Sequence, residues 1–314
     1  MKTAVLFAIA SCALAQVERL DPAFDAIVDA NAPIEKLAGG MGFLEGPLWI
    51  AKPGYLLFSD IPANAIMKWT PGDAKPVVYR QPSGFDGQAA NMANLGSNGL
   101  ALDRQGRLLI CQHGNRQVVR IEKDGKVTVL ADRFEGKRLN SPNDVAVRKD
   151  GALYFTDPPY GLEGQDKSPQ KELPFNGVFL LKDGKLSVQY KELSRPNGIA
   201  LSPDEKKLYV ANSDGARKIW MQFDVARDGS LSNGTVFADL TERKEPGGPD
   251  GMKVDKKGNL FVTGPGGIWV FSAAGKALGR IRPAEVPANC GFGGKDGKTL
   301  FMTARTGLYS IQVK

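Results

Sequence analysis

The sequence contains few of the residue types that bind soft metal ions. Its 314 residues include one histidine and three cysteines. Zinc sites built from histidine and cysteine need several such ligands, so this class of site is excluded. If the first segment of the chain is removed on export, Cys111 and Cys290 remain, and the sequence leaves open a disulfide or two buried free thiols.

Long hydrophobic runs, helical periodicity and clusters of basic residues are also missing. After residue 15, no apolar stretch is long enough to cross a bilayer. The formal charge of +7 is spread over turns of alternating sign, such as residues 123–126 and 255–258. This pattern is typical of solvated turns, so we expect no transmembrane segment and no nucleic-acid partner.

The first 15 residues predict a signal peptide. A positive start at Lys2 precedes an apolar stretch, and the small-residue sequence Ala13-Leu14-Ala15 ends it. We therefore expect cleavage after Ala15 and a secreted or periplasmic protein. Residues 9–12 also resemble a lipobox that would anchor the chain through Cys12, but the apolar stretch before them is short, so simple cleavage is favoured.

The remaining chain is rich in glycine and proline and contains six copies of one pattern. Each copy reads polar residue, apolar strand, charged turn, apolar strand, and the clearest copy runs from Arg138 to Gly161. The leading polar residues, here called the leaders, are Glu45, Asn98, Asn143, Asn197, Asp250 and Asn289. Their separations fit a repeat of four strands, which predicts an all-β, six-bladed β-propeller.

The domain boundaries follow from the same repeat. Residues 39–314 are predicted to form the propeller, and residues 16–38 an N-terminal helix and a strand. Asp21 and Pro22 start the predicted helix, which ends near Ala30. The strand at 34–37 would complete the last blade and so pair the start of the chain with its end.

A propeller brings its leaders together, because every innermost strand starts on the same face of the channel. A glutamate, an aspartate and asparagines at these positions offer carboxylate and amide oxygens, the ligands of hard divalent cations. Such a site favours Lewis-acid chemistry.

The motifs resemble those of the gluconolactonase/regucalcin (senescence-marker-protein) family of six-bladed propellers. They are EGPLW at 45–49, LNSPNDV at 139–145, FTDPPYG at 155–161, RPNGIALSPD at 195–204, PDGM at 249–252 and NCGFGG at 289–294. The resemblance implies hydrolysis of a small-molecule lactone at a divalent ion, with Ca²⁺ favoured and Zn²⁺, Mn²⁺ and Mg²⁺ as alternatives. The residues that match the family's metal ligands are Glu45, Asn143, Asn197 and Asp250. Asp250 also matches the family's base, and Ser141 stands where animal members have a substrate-binding arginine.

Other residues are candidates for the catalytic base and for substrate contacts. His113, acting through a water molecule, is an alternative base. The expected substrate contacts are Asn98, His113, Asn143, Tyr160 and Asn289. Each has a structural alternative: His113 could brace the turn that follows it, Asn98 and Asn289 could hydrogen-bond neighbouring loops, and Tyr160 could belong to a rigid turn. Asp144 is expected to cap the turn at 140–141 or to support a ligand, and the four tryptophans to lie in the blade core.

These patterns predict a secreted, metal-dependent lactonase acting on sugar lactones, as a monomer or dimer. One alternative is a phosphotriesterase or esterase that uses the same metal site. The other is a binding propeller without catalysis, in which calcium is structural.

Overall fold

The structure is a computed structural model that describes residues 16–88 and 94–314. The predicted signal peptide at 1–15 and the lipobox at Cys12 lie outside the described residues. Within the described part, no helix is long and apolar enough to span a membrane.

Two strands precede blade 1 in the chain, and the later strands form the six blades and one small hairpin. The first two are β1 (Gln16–Arg19) and β2 (Glu35–Ala38). Blade 1 contains β3 (Leu44–Ile50), β4 (Tyr55–Asp60), β5 (Ala65–Trp69) and β6 (Val77–Arg80). Blade 2 contains β7 (Ser97–Leu102), β8 (Leu108–Gln112), β9 (Gln117–Ile121) and β10 (Val127–Ala131), and a small hairpin of β11 (Arg133–Phe134) and β12 (Lys137–Arg138) follows it.

The last four blades repeat the same antiparallel order. Blade 3 contains β13 (Val145–Val147), β14 (Leu153–Asp157), β15 (Gly177–Lys182) and β16 (Lys185–Tyr190). Blade 4 contains β17 (Pro196–Leu201), β18 (Lys207–Asp214), β19 (Arg217–Val225) and β20 (Leu231–Asp239). Blade 5 contains β21 (Met252–Val254), β22 (Leu260–Gly264), β23 (Gly267–Phe271) and β24 (Ala277–Arg282), and blade 6 contains β25 (Pro287–Gly293), β26 (Thr299–Ala304) and β27 (Gly307–Gln312).

The ring closes as the sequence predicts. β2 pairs antiparallel with β27, with Glu35 opposite Ser310, and becomes the outer strand of blade 6. β1 was not expected and adds a fifth strand to blade 5 by pairing with β24. The predicted helix is shorter than expected: it is a 3₁₀ helix, Pro22–Ala26, and the side chain of its N-cap Asp21 accepts a hydrogen bond from the backbone of Ala23. A second 3₁₀ helix, Gln165–Lys167, lies between β14 and β15.

The core consists of apolar clusters between adjacent blades, one for each of the six blade pairs. The middle strands of a blade are therefore covered on both faces and read as continuous buried runs, as in β22 and β23. Trp220 and Trp269 belong to one of these clusters, as expected. Cys111 lies between blades 2 and 3 and Cys290 between blades 5 and 6, and both are free thiols.

Glycines after the leaders allow neighbouring inner strands to approach closely. Gly46, Gly99, Gly198 and Gly251 each follow a leader directly. A Cβ atom on Gly198 would lie 2.1 Å from the backbone oxygen of Asp250 in the next blade, closer than any side chain allows. The polar-residue-glycine pairs in the sequence thus place four of the six leaders beside the next one around the ring.

Candidate metal and substrate site

Five of the six leaders line a cavity of about 330 Å³. Its lining residues are Phe43, Glu45, Ile61, Asn94, Asn98, His113, Asn143, Tyr160, Asn197, Ser213 and Asp250. Seven of the eight residues predicted for the site line this cavity, and Asn289 does not. The structure therefore brings together the four predicted ligands, both predicted bases and most predicted substrate contacts, whose individual roles stay predictions. Sequence reasoning missed Phe43, Ile61, Asn94 and Ser213.

A chain of side-chain amides crosses the cavity from blade 2 to blade 4. Nδ2 of Asn98 donates to Oδ1 of Asn143 at 2.9 Å, and Nδ2 of Asn143 donates to Oδ1 of Asn197 at 2.7 Å. These bonds fix the orientation of both predicted amide ligands, and each amide oxygen keeps a second lone pair. Oδ1 of Asn98 is buried and has no hydrogen-bond partner within the described residues. A ligand group in the cavity would satisfy it.

The two carboxyl groups of the site, Glu45 and Asp250, lie side by side, with Glu45 buried and Asp250 half-buried. Burial raises the pKa of Glu45 to about 7. Burial also raises the pKa of Asp250, and the nearby carboxyl groups of Glu45 and Asp144 raise it further. Among the described residues, none of these three carboxyl groups forms a salt bridge. The arrangement fits a bound cation, which would neutralise the pair.

Asn289 does not line the cavity but hydrogen-bonds the carboxyl group of Glu45. Nδ2 of Asn289 donates to Oε2 of Glu45 at 2.8 Å, and the backbone NH of Gly46 donates to the same oxygen at 2.9 Å. Oδ1 of Asn289 accepts from the backbone NH of Cys290. The structure thus places Asn289 where it orients a predicted ligand.

His113 is 2% exposed, and its imidazole faces the cavity. Nδ1 lies 3.1 Å from the backbone oxygen of Asn94, which can only accept, so Nδ1 carries the proton. Nε2 is then an acceptor, 3.3 Å from Nδ2 of Asn98. Burial lowers the pKa of His113 to about 4, so the ring is neutral at pH 7. The side chain belongs to the cavity, although its backbone oxygen also accepts from the NH of Arg116 in the following turn.

Tyr160 lies at the rim of the cavity, at the start of the long loop between β14 and β15. Burial raises its pKa to about 12, so the phenol keeps its proton at pH 7. The side chains of Ser213 and Asn197 line the same cavity. Tyr160 therefore faces the same space as a predicted metal ligand.

The base of this rim loop is fixed by Ser141 and Asp157. The hydroxyl of Ser141 donates to the backbone oxygen of Pro158 at 2.6 Å and accepts from the NH of Gly161 at 2.8 Å. The carboxylate of Asp157 accepts from the NH groups of Asn140 and Ser141, at 2.7 and 2.8 Å. Ser141 thus anchors the loop.

The turn at 140–141 is not capped by Asp144, contrary to one of the two roles expected for it. The carboxylate of Asp144 accepts instead from the backbone NH groups of Val145 and Ile199, at 2.9 and 3.3 Å. Because Ile199 belongs to β17, Asp144 joins blades 3 and 4 directly behind the leaders.

Hydroxyl side chains near the ends of second strands hold the leaders and were also missed. The hydroxyl of Ser59 donates to the backbone oxygen of Asn98 at 2.8 Å, and that of Thr156 to the backbone oxygen of Asn197 at 2.7 Å. Equivalent strands carry Thr263 and Thr303. The repeated serine or threonine in this position was a signal present in the sequence.

Comparisons with known proteins agree with this architecture. A family model described as "SMP-30/Gluconolactonase/LRE-like region" matches residues 43–306. A gluconolactonase from Zymomonas mobilis is 42% identical, over 96% of this chain and 87% of the relative. The solved structure of a gluconolactonase from Xanthomonas campestris has a TM-score of 0.81 and 32% identity, with 95% of each chain covered. A diisopropyl-fluorophosphatase from Loligo vulgaris is 28% identical over 77% of both chains. Because the family model and the first relative span most of the sequence, this chain belongs to the SMP-30/gluconolactonase/LRE-like family.

Proposed function

We propose that this protein is a metal-dependent lactonase that hydrolyses sugar lactones to the open-chain acids. The observation that carries the proposal is the cavity in which two adjacent carboxyl groups, two oriented amide oxygens and a neutral imidazole face the same space. The names of the 42% and 32% identical relatives, both gluconolactonases, support the choice of substrate class.

Glu45, Asn143, Asn197 and Asp250 are the residues that would hold the cation. They supply oxygen ligands only and a net charge near −2, which suits Ca²⁺ or a similar hard ion. The described residues contain no cluster of three or more histidine, cysteine or acidic side chains that could hold a metal ion, so the amides are needed to complete the set. When bound, a divalent cation at this position would supply Lewis-acid stabilisation of the charge that develops on the lactone carbonyl oxygen.

The other cavity residues position the substrate. Oδ1 of Asn98 accepts a hydrogen bond from one hydroxyl of the sugar ring, and the Tyr160 hydroxyl provides a second polar contact at the rim. The neutral His113 ring lines the same space and would contact the substrate there. Phe43 and Ile61 give the cavity an apolar wall, which limits the water around the reacting carbon.

Asp250 acts as the base in this mechanism. Water adds to the carbonyl carbon and passes a proton to the carboxylate of Asp250, the ring C–O bond breaks, and the ring oxygen takes up the proton. Asp250 is favoured over His113 because its carboxylate can accept the proton of the water directly. Both nitrogens of His113 already face hydrogen-bond partners.

The test is hydrolysis of glucono-1,5-lactone above its spontaneous rate, with and without EDTA. We expect EDTA to abolish activity and added Ca²⁺ to restore it. Asp250→Asn should lower kcat by about 10²-fold or more, the usual contribution of a general base. Asp132→Asn, which changes an exposed aspartate outside the cavity, should leave kcat unchanged. Activity that is insensitive both to EDTA and to Asp250→Asn would refute the mechanism, and a loss of stability without loss of activity would indicate a structural ion.

A phosphotriesterase is the second candidate, because the 28% identical relative is named for cleaving a fluorophosphate. A polarised P=O group would use the same oxygen ligands. We expect kcat/KM for lactones to exceed that for phosphotriesters such as paraoxon. The opposite order in parallel assays would favour the phosphotriesterase.

We also propose that the chain is exported, with cleavage after Ala15. The support is the pattern of the first 15 residues, a positive start, an apolar stretch and a small-residue end. Mass spectrometry of the protein from the periplasmic and medium fractions should find a first residue of Gln16. A lipid-modified Cys12 as the first residue would show instead that the protein is a lipoprotein.

A further inference from the structure

A second, larger cavity opens beside the proposed lactone site. This outer cleft has a volume of about 790 Å³, and its lining residues come from 85–88, 94–95, 114–117 and 138 and from the rim loop between β14 and β15. Asn94 and Tyr160 line both the outer cleft and the inner cavity. A molecule bound in the inner cavity can therefore extend past these two residues without leaving the protein surface.

The inner cavity alone, at about 330 Å³, is at the lower end of the range for small-molecule sites. It accommodates one sugar-sized ring. The outer cleft is more than twice as large, so a single lactone ring leaves most of the combined space without ligand.

One wall of the outer cleft carries an unused hydrogen-bond donor. Arg116 is 4% exposed and lines the cleft. Its Nε donates to the backbone oxygen of Leu139 at 2.6 Å, and its Nη1 lies 3.8 Å from a carboxylate oxygen of Glu172. Its Nη2 has no hydrogen-bond partner among the described residues. A neutral oxygen acceptor on a ligand would supply the missing partner.

The charge balance of the outer cleft disfavours an anionic ligand. Three carboxylates, Asp86, Glu163 and Glu172, line it together with two guanidinium groups, Arg116 and Arg138. Glu172 also accepts from the backbone NH of Arg138 at 2.7 Å. Phosphate or carboxylate groups would thus meet an excess of negative charge, while hydroxyl groups find both donors and acceptors.

The remaining lining has the mixed character that suits a sugar ring. Asn115, Gln117 and Gln170 offer amide donors and acceptors, and Phe85 and Leu162 offer apolar surface. A pyranose ring presents hydroxyl groups at its edge and CH groups on its faces, so it can use both kinds of surface.

Resting on the lactonase proposed above, we propose that the outer cleft is a subsite for a second, neutral sugar unit. The preferred substrates are then lactones of oxidised disaccharides, with the lactone ring in the inner cavity and the glycosyl group in the outer cleft. The outer cleft would bind the glycosyl group equally in the ground state and the transition state, so this binding lowers KM and leaves kcat nearly unchanged.

The test compares glucono-1,5-lactone with cellobiono-1,5-lactone and maltobiono-1,5-lactone, which differ in linkage geometry. We expect KM for at least one disaccharide lactone to be about tenfold lower, at similar kcat. Equal or higher KM values for both disaccharide lactones would overturn the proposal while the lactonase itself stands.

Two loop variants provide a matched pair. Gln170→Trp places a large side chain in the outer cleft and should remove the preference without changing the kinetics of glucono-1,5-lactone. Lys167→Trp makes the same change at an exposed position of the same loop outside the cleft and should keep the preference. If Gln170→Trp retains the preference, the glycosyl group lies elsewhere. Arg116→Lys, checked for folding by its thermal melting curve, should weaken the preference by removing the Nη2 donor.

Binding of the product acids separates this proposal from the proposed function. Calorimetry of the wild-type protein with cellobionate, maltobionate and gluconate needs no turnover. If no lactone is hydrolysed, the lactonase proposal fails, but about tenfold tighter binding of a disaccharide acid than of gluconate would still support the subsite. Equal affinities would refute it.

Discussion

Besides its pairing with β27, the closing strand β2 is attached to the rest of the propeller through the carboxylate of Glu285. Its Oε1 accepts from Nζ of Lys36 on β2 at 2.8 Å and from the hydroxyl of Tyr309 at 2.8 Å. Its Oε2 accepts from the backbone NH and the hydroxyl of Thr306, at 3.0 and 2.7 Å. Partial burial alone would raise the pKa of Glu285, but the hydrogen bonds from Lys36, Thr306 and Tyr309 lower it to about 2.

The pKa of Glu285 gives the size and direction of its contribution to stability. A fall from the ordinary value of 4.5 to about 2 corresponds to about 3 kcal/mol. Because the side chains of Lys36 and Glu285 are 50% and 22% exposed, solvent screening reduces this to about 1–2 kcal/mol. The folded-state pKa is lowered, so the stabilisation is complete above about pH 4.5 and is lost as the pH falls toward 2.

The assay is urea unfolding of wild type and Glu285→Gln over a series from pH 7 to pH 3. We expect the variant to be less stable by about 1–2 kcal/mol at pH 7, and by less than half of that at pH 3. Glu35→Gln changes an exposed carboxylate on β2, next to Lys36, and should have little effect at any pH. A difference between Glu285→Gln and wild type that does not change with pH, or an equal effect of Glu35→Gln, would refute the reasoning.

Three further predictions concern the cation, the inner strands and the thiols. Ca²⁺, or another divalent cation that binds the site, should raise the free energy of unfolding by about 2.7 kcal/mol at about 100 times its Kd. An unchanged free energy of unfolding in calorimetry would contradict the metal site. Gly198→Ala should destabilise the protein by about 1–3 kcal/mol in thermal unfolding, because its Cβ would clash with the backbone of Asp250. Gly215→Ala is the control, because the space around Gly215 is open, and it should not destabilise the protein. Reducing agent should leave the Tm unchanged, because Cys111 and Cys290 lie in different interblade clusters, and a lowered Tm would show that they form a disulfide.

The blades could be predicted from the sequence because each repeat carries two independent signals. A polar leader marks the start of the inner strand, and the apolar runs on both sides of a charged turn mark the hairpin, as in β13 and β14. β1 carries neither signal: Gln16–Arg19 contains one apolar residue, Val17, and forms a strand by pairing with β24. Its structure depends on a partner more than 250 residues away, which local pattern does not reveal.

The sequence predicted which residues converge at the candidate site, but it did not predict which contacts hold them in place. Proximity in sequence suggested that Asp144 caps the turn at 140–141. The carboxylate that does so comes from Asp157, which the antiparallel hairpin returns to the same end of the blade. Similarly, Ser59 and Thr156 hold leaders of the following blade, a contact that exists only once the blades are arranged around the channel.

The hydrogen bonds among the leaders make the cation site dependent on ring closure. Asn98 of blade 2 orients Asn143 of blade 3, which orients Asn197 of blade 4, and Asn289 of blade 6 orients Glu45 of blade 1. This last bond crosses the junction between the final and first blades, the junction that β2 helps to close by completing blade 6.

A weakened closing strand should therefore weaken cation binding at a distance. Glu285→Gln loosens the attachment of β2, although Glu285 is not among the residues that line the inner cavity. We expect its Kd for Ca²⁺ to rise by several fold in calorimetric titration at pH 7, while Glu35→Gln keeps the wild-type value. If Glu285→Gln loses stability but keeps its cation affinity, the Asn289–Glu45 contact holds its geometry without the closing strand, and ring closure stabilises the fold without positioning the ligands.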